Sequence, residues 1–268
     1  MPPSDVHPCR IGTVAYLNAV PLNVGLDANP DVELTYGVPS AIADDLAAGN
    51  LDAALVPIVE AVTIPGCRIV PHVAIACEGP VLSVKLFARQ PISEAHTVAL
   101  DPSSRTSAIL ARLWLEVFRG MSPDYVDGTS KDDAADAALL IGDPALRRPA
   151  SEFDVDLGEA WFEATGLPFV FAVWATREGT DAPRIASALL EAKRAGVKRL
   201  DGIAEEEGSR RGLPEDLCRR YLTKHIRFDL SDAELAGMRR FLTLASEHGL
   251  VPATSLDFAE MLLSSGVD

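Results

Sequence analysis

Cysteine and histidine are scarce in this sequence, and neither is spaced for the chemistry it usually serves. The four cysteines, Cys9, Cys67, Cys77 and Cys218, form no C-x-x-C pair, and a chain of this length does not need disulfide staples, so they read as free structural thiols. The five histidines, His7, His72, His96, His225 and His248, have no i,i+4 partner, so no metal site is expected. The sequence contains no G-x-G-x-x-G, Walker A, H-E-x-x-H or G-x-S-x-G pattern, which removes support for nucleotide, zinc-protease and hydrolase readings. No uninterrupted apolar run reaches the roughly 18 residues of a spanning helix. Met1 to Arg10 lacks both the basic and the apolar region of a secretory signal. A cytoplasmic protein with no membrane role is expected.

Positive charge is also in short supply. Lys and Arg number 24 against 39 Asp and Glu, a formal net charge of -15, and no basic stripe follows a phosphate backbone, so nucleic acid is not an expected partner. If the ligand is a small anion, local donors such as helix N-termini must outweigh the overall field.

What remains is the composition of a soluble globular protein, 48% hydrophobic and 24% charged over 268 residues, long enough for two modest α/β lobes. Short apolar runs, Arg10 to Tyr16, Val32 to Tyr36 and Leu51 to Val56, alternate with helical patterns. Pro21 opens one helix, and a second is expected with Ser40 as its N-cap and Gly49-Asn50 as its stop. Such alternation indicates βαβ units, a largely parallel sheet and a ligand site at the strands' carboxyl ends. Val81 to Arg89 alternates again. His96 to Asp101 and a helical stripe from Ile109 to Phe118 then suggest a second α/β lobe. Further strands are expected at Ala138 to Ile141 and Phe169 to Thr176, with a helix at Leu157 to Thr165. From Asp181 the sequence is mainly helical, with a Ser231/Glu234 capping box. The expected division is 1–88 and 89–175 for the two lobes and 176–268 for a helical return onto the first. Hinge connections are expected near Phe87 to Ile92 and Ala172 to Glu178, framing a cleft that closes on a ligand.

Several polar residues fall where such a cleft would use them. Ser103, Ser104, Thr106 and Ser107 stand between a strand and an amphipathic helix, where hydroxyls and free N–H groups can hold a carboxylate or simply cap the helix. Glu60 ends a buried strand, as a general base, a ligand acceptor or a first-turn glutamate favoured by the helix dipole. Asn18 follows the first strand, as a cleft contact or a turn residue. Ser83 and Lys85 face together, toward an anion or toward solvent. Asp143 ends a strand, reaching the cleft or capping the Pro144 turn. Trp161 and Phe169 are pocket walls or plain core.

Taken in order, Tyr16-Leu17-Asn18, Gly37-Val38-Pro39-Ser40, Val56-Pro57-Ile58-Val59-Glu60, Ser104-Arg105-Thr106-Ser107, Ile141-Gly142-Asp143 and Gly166 to Ala175 resemble the chorismate dehydratase family of menaquinone (futalosine pathway) biosynthesis. The resemblance continues through Tyr221-Leu222-Thr223, Ile226-Arg227-Phe228 and the helix after Ser231. Each motif is weak alone, and their collinear set is specific. The resemblance implies a two-lobed, type II periplasmic-binding-protein-like α/β fold. It also implies conversion of chorismate to 3-[(1-carboxyvinyl)oxy]benzoate and water, without a cofactor. In that frame the Ser103–Ser107 helix start would bind one carboxylate, Ser83 and Asn18 would hold the other or the hydroxyl, and Asp143 would add a contact. Glu60 would orient or deprotonate, unless a substrate carboxylate is the base. The alternatives are a non-catalytic small-anion solute-binding protein, the sister enzyme acting later in the same pathway, and the sensing part of a regulator.

Overall fold

The computed structural model describes residues 7–101, 103–128 and 135–259, which hold ten strands and ten α-helices. The strands are β1 (Cys9–Val14), β2 (Val32–Gly37), β3 (Ala53–Pro57), β4 (Cys67–Cys77), β5 (Val84–Ala88), β6 (Thr97–Leu100), β7 (Asp124–Asp127), β8 (Ala137–Ile141), β9 (Val155–Asp156) and β10 (Phe169–Arg177). Between them run α1 (Val20–Asn23), α2 (Pro39–Ala48), α3 (Ile58–Thr63), α4 (Arg105–Leu113), α5 (Gly142–Arg147) and α6 (Leu157–Thr165). After β10 come α7 (Ala182–Val197), α8 (Leu200–Arg211), α9 (Glu215–Arg220) and α10 (Asp232–Glu247). Among the described residues no helix is long and apolar enough to cross a membrane.

The strands form two five-stranded sheets of matching order, β2-β1-β3-β10-β4 and β7-β6-β8-β5-β9. The sheets are largely parallel, as expected, with one reversed strand in each. Four of the five strands in each sheet point the same way, and one opposes them: β10 runs antiparallel to β3 and β4, and β5 runs antiparallel to β8 and β9. These two antiparallel strands are the ones by which the chain enters each sheet from the other, and entering from the far side reverses their direction.

The sheets also place the crossings elsewhere than at Phe87 to Ile92 and Ala172 to Glu178. Val84–Ala88 pairs along its whole length with β8, so it belongs to the second sheet, not to the 1–88 unit. Phe169–Arg177 belongs wholly to the first sheet, not to the 89–175 unit. The chain therefore crosses between Cys77 and Val84 and returns between Thr165 and Phe169. Of the expected helical return, 260–268 lies outside the described residues. Its helix α7 packs on α1, β4 and β10, whereas α10 touches both β10 and α4. A buried cluster joins these parts, with the Trp161 ring centroid 5.4 Å from Phe169 and 6.1 Å from Phe241. Trp161 donates its indole N–H to the Pro168 carbonyl at 3.2 Å, so Trp161 and Phe169 are core, not pocket wall.

Local signals explain several element ends. Asp156 caps α6 by accepting from the Gly158 and Glu159 N–H groups, and Gly166 ends it at φ 69. Ser231 and Glu234 form the expected capping box, with the Ser231 N–H donating to Glu234 at 3.1 Å. The helix after β2 differs from expectation. Pro39 occupies its first turn, so the cap falls on Val38 and Ser40 lies inside the helix.

Candidate active site

A cavity lies between the two sheets, at the carboxyl ends of their parallel strands, as the topology requires. Val14 at the end of β1 and Tyr16 and Asn18 beyond it border the cavity, with Pro39 at the start of α2 and Leu55 and Pro57 from β3. Ile75, Phe171 and Ala172 supply further apolar wall from β4 and β10. The second lobe contributes Ser83, Val84, Ser104, Ser107, Ile141 and Gly142.

Four of the eight expected site residues thus meet at the cavity: Asn18, Ser83, Ser104 and Ser107. Ser104 is the residue before α4 and donates to the Ser107 hydroxyl at 2.8 Å. The first i→i−4 bond of α4 runs from the Ala108 N–H to the Ser104 carbonyl, so the N–H groups of Arg105, Thr106 and Ser107 precede the helical ladder. Hydroxyls and helix dipole together favour an anion here. Ser83 is fully buried at 0% exposure and accepts a hydrogen bond from the Tyr221 hydroxyl at 2.7 Å. Its backbone is pinned on both sides. Leu82 adopts φ 63 and, with Val81, donates its N–H to Asp156 at 2.7 and 3.0 Å, while the Gly142 N–H donates to the Ser83 carbonyl at 2.7 Å. A non-glycine residue held at positive φ is strained backbone that the surroundings over-determine. Asn18 is half-buried, and its Oδ1 is shielded from solvent without a partner among the described residues.

The other four expected residues do other work. Thr106 accepts from the Val59 N–H at 3.2 Å, tying the second lobe to the first. Asp143 accepts from the Leu17 N–H at 3.0 Å and meets the Arg211 guanidinium, which is itself paired to Glu207 at 2.8 Å. Both are interlobe fasteners, and neither lines the cavity. Ser103 donates its N–H to Asp101 at 2.8 Å and stands outside the lining, and Pro102 beside it lies outside the described residues. Glu60 is 2% exposed, with Oε1 3.3 Å from Arg105 across the lobes and Oε2 unpartnered among the described residues, yet it too is outside the lining. Burial raises its pKa, and Arg105 offsets part of that. Lys85 is likewise absent from the cavity wall.

Three contributors were not expected from the sequence. Tyr16 walls the cavity, and its phenol pKa is raised by burial and by the charges of Asp101 and Asp143. Gly142 sits at φ 62 against the Tyr16 ring. Tyr221 arrives from the C-terminal helices without a local signal, whereas Tyr16 and Gly142 each stand at the end of a predicted strand. Among the described residues the lining holds no carboxylate, imidazole, ammonium, guanidinium or thiol, and no cluster of His, Cys, Asp and Glu is arranged for a metal. The cavity can bind anions through neutral donors and an apolar slot. Among the described residues its wall carries no strong base.

The menaquinone biosynthesis family matches residues 9–247. The chain is 31% identical over 259 residues to the chorismate dehydratase of Thermus thermophilus, covering 88% of this chain and 94% of that protein. It is 30% identical over 171 residues to the chorismate dehydratase of Campylobacter jejuni, covering 60% and 64%. Solved structures of similar fold include a protein from Archaeoglobus fulgidus, at a TM-score of 0.74 and 16% identity over 91% of this chain and 99% of that one. They also include the periplasmic aliphatic sulphonate binding protein of Escherichia coli, at 0.64 and 14% over 98% and 96%. The fold is therefore that of the periplasmic binding proteins, as the paired sheets and the cavity between them require. The family match runs from β1 to the end of α10 and takes in every residue of the cavity, and so the chain belongs to the menaquinone biosynthesis family.

Proposed function

We propose that this protein is a chorismate dehydratase, a cytoplasmic lyase that converts chorismate to 3-[(1-carboxyvinyl)oxy]benzoate and water. The name of its Thermus relative points the same way. The observation that carries the mechanism is the neutrality of the cavity wall. Elimination breaks the C–H bond at the ring carbon bearing the ether and the C–O bond of the neighbouring hydroxyl, and it forms the last double bond of an aromatic ring. The reaction is redox-neutral and aromatisation favours it, so it consumes no oxidant or reductant, and much of the catalysis is positioning.

With no carboxylate or imidazole at the wall, the base in this reading is the enolpyruvyl carboxylate of the substrate, tethered through the ether to the carbon that loses the proton. Charge left on that carbon spreads through the ring double bond to the ring carboxylate. The start of α4, with the Ser104 and Ser107 hydroxyls, is placed to hold that group where the charge develops. Ser83 and Asn18 face the departing hydroxyl, which leaves as water once it takes up the proton lifted from the ring. Glu60 then serves the junction between the lobes, and Tyr16, Leu55 and Phe171 form the slot for the flat ring.

The test is to incubate the purified protein with chorismate, without metal or nucleotide, and to follow products by chromatography and mass spectrometry. Loss of one water to an enolpyruvyl benzoate is the expected result. Tight binding without turnover would instead favour a carrier or sensor, and neither binding nor turnover would remove the proposal.

A further inference from the structure

Tyr221 is a buried polar group that the mechanism above leaves unused. It is 1% exposed, and it opens a five-residue π-helical segment, Tyr221–His225, a widened turn frequently found at functional sites. Its hydroxyl donates to Ser83 Oγ at 2.7 Å, and the Asn18 side chain interacts with the same phenol. Burial raises the phenol's pKa although both neighbours act to lower it, so Tyr221 remains a protonated donor. The residues that follow run along the crossing that carries Ser83. His225 Nδ1 donates to the Pro80 carbonyl at 2.9 Å, Arg227 exchanges backbone bonds with Ala76 at 2.8 and 2.9 Å, and its guanidinium meets Glu78. Tyr221 is thus fixed against the crossing by its own segment.

We propose that Tyr221 is a positioning residue for the dehydration, holding Ser83 so that the serine's own proton is directed into the cavity at the departing hydroxyl. A serine hydroxyl has one proton and two acceptor positions, and it rotates to suit its neighbours. The bond from Tyr221 fills one acceptor position and forbids the rotamer in which the two hydrogens collide. It also polarises the Ser83 O–H. The cavity side is left for the proton, where it stabilises the oxygen as the C–O bond breaks. This inference rests on the chorismate dehydratase reading, in which Ser83 faces that oxygen.

A double-mutant cycle with Tyr221→Phe and Ser83→Ala tests it, with kcat, KM and melting temperature measured for all four proteins. Tyr221→Phe is expected to lower kcat about tenfold, the scale of one hydrogen bond, with KM within about twofold of wild type. In the Ser83→Ala background the same substitution should change kcat no further, because the group it acts through is gone. A purely structural role would instead lower the melting temperature and leave kcat unchanged, or give losses that multiply with those of Ser83→Ala. Either result overturns the inference. If Tyr221→Phe does not fold, 3-fluorotyrosine at position 221 keeps the ring and hydroxyl and makes the phenol a stronger donor. It should raise kcat only when Ser83 is present, and an equal response in Ser83→Ala would overturn the inference. No turnover by the wild type would overturn the functional reading and this inference together, whereas wild-type turnover with an unaffected Tyr221→Phe overturns the inference alone.

Discussion

Asp143 of the second lobe accepts the backbone N–H of Leu17 from the first at 3.0 Å, one residue before the cavity's Asn18. Its second oxygen meets Arg211, and both partners of that ion pair are largely buried, with side-chain exposures of 8% and 16%. A carboxylate so engaged is a fastener between the lobes. It ties the loop that carries Asn18 to the second lobe, beside the cavity that the two lobes frame.

Asp143→Ala is therefore expected to cost about 1–3 kcal/mol of stability, since it leaves the buried Leu17 N–H without its acceptor while Arg211 keeps its pairing with Glu207. KM for chorismate should rise along with the drop in melting temperature, because closure loses its tie to Leu17. Calorimetry and steady-state kinetics check this, and an unchanged melting temperature with an unchanged KM would show that closure does not depend on this carboxylate.

Glu60 gives a pH-dependent prediction. Burial raises its pKa above the ordinary 4.5, with Arg105 opposing. Between the ordinary and the raised value the folded protein keeps a proton that the unfolded chain has already lost, so this group's contribution to stability falls as pH rises through that window. Glu60→Gln removes the penalty. Its melting temperature relative to wild type should increase as pH is raised from 4.5 toward neutrality. Turnover should also survive, since loss of a general base costs about 10²–10⁴-fold and this carboxylate lies outside the cavity wall. A loss of that size would return Glu60 to the role of base, with the cavity reshaped to admit it.

These two residues mark the boundary of what the sequence could reveal. Asn18, Ser104 and Ser107 reach the cavity from a strand end or a helix start, where the topology places a ligand, whereas Ser83 was singled out only for sharing a strand face with Lys85. Asp143 and Thr106 stand in equivalent places, and no local pattern separates a polar side chain aimed at a substrate from one aimed at the other lobe. Element ends were legible where a cap or a glycine is local, as at Asp156 and Gly166. The crossings were not, because the alternation of Val84–Ala88 is the same in either sheet and only its pairing with β8 decides. Tyr221 was out of reach for a plainer reason. It stands 138 residues from the serine it touches.

Gly142 offers a test of the cavity wall itself. Its φ of 62 lies in the left-handed region, and an added Cβ would come within 2.8 Å of the Tyr16 ring. Gly142→Ala is expected to destabilise by about 1–2 kcal/mol from backbone conformation alone and to push Tyr16 toward the ring slot. Chorismate affinity, read by titration calorimetry, should fall further than stability does. Unaltered affinity would place the ring elsewhere than beside Tyr16.

Thr106 separates lobe fastening from anion binding within one short segment. Its hydroxyl accepts the buried Val59 N–H across the lobes at 3.2 Å, while its neighbours Ser104 and Ser107 face the cavity. Thr106→Val keeps the volume and removes the acceptor, leaving a buried donor unpaired at a cost of about 1–3 kcal/mol. Thr106→Ser restores the acceptor and should restore most of that stability. If the hydroxyl serves the junction, Thr106→Val raises KM through weaker closure while kcat at saturating chorismate changes little. Ser104→Ala, by contrast, should lower kcat, because it withdraws a donor from the group on which charge develops. Equal kinetic effects from the two substitutions would mean that the start of α4 acts as a single binding surface and that the contact with Val59 is incidental to catalysis.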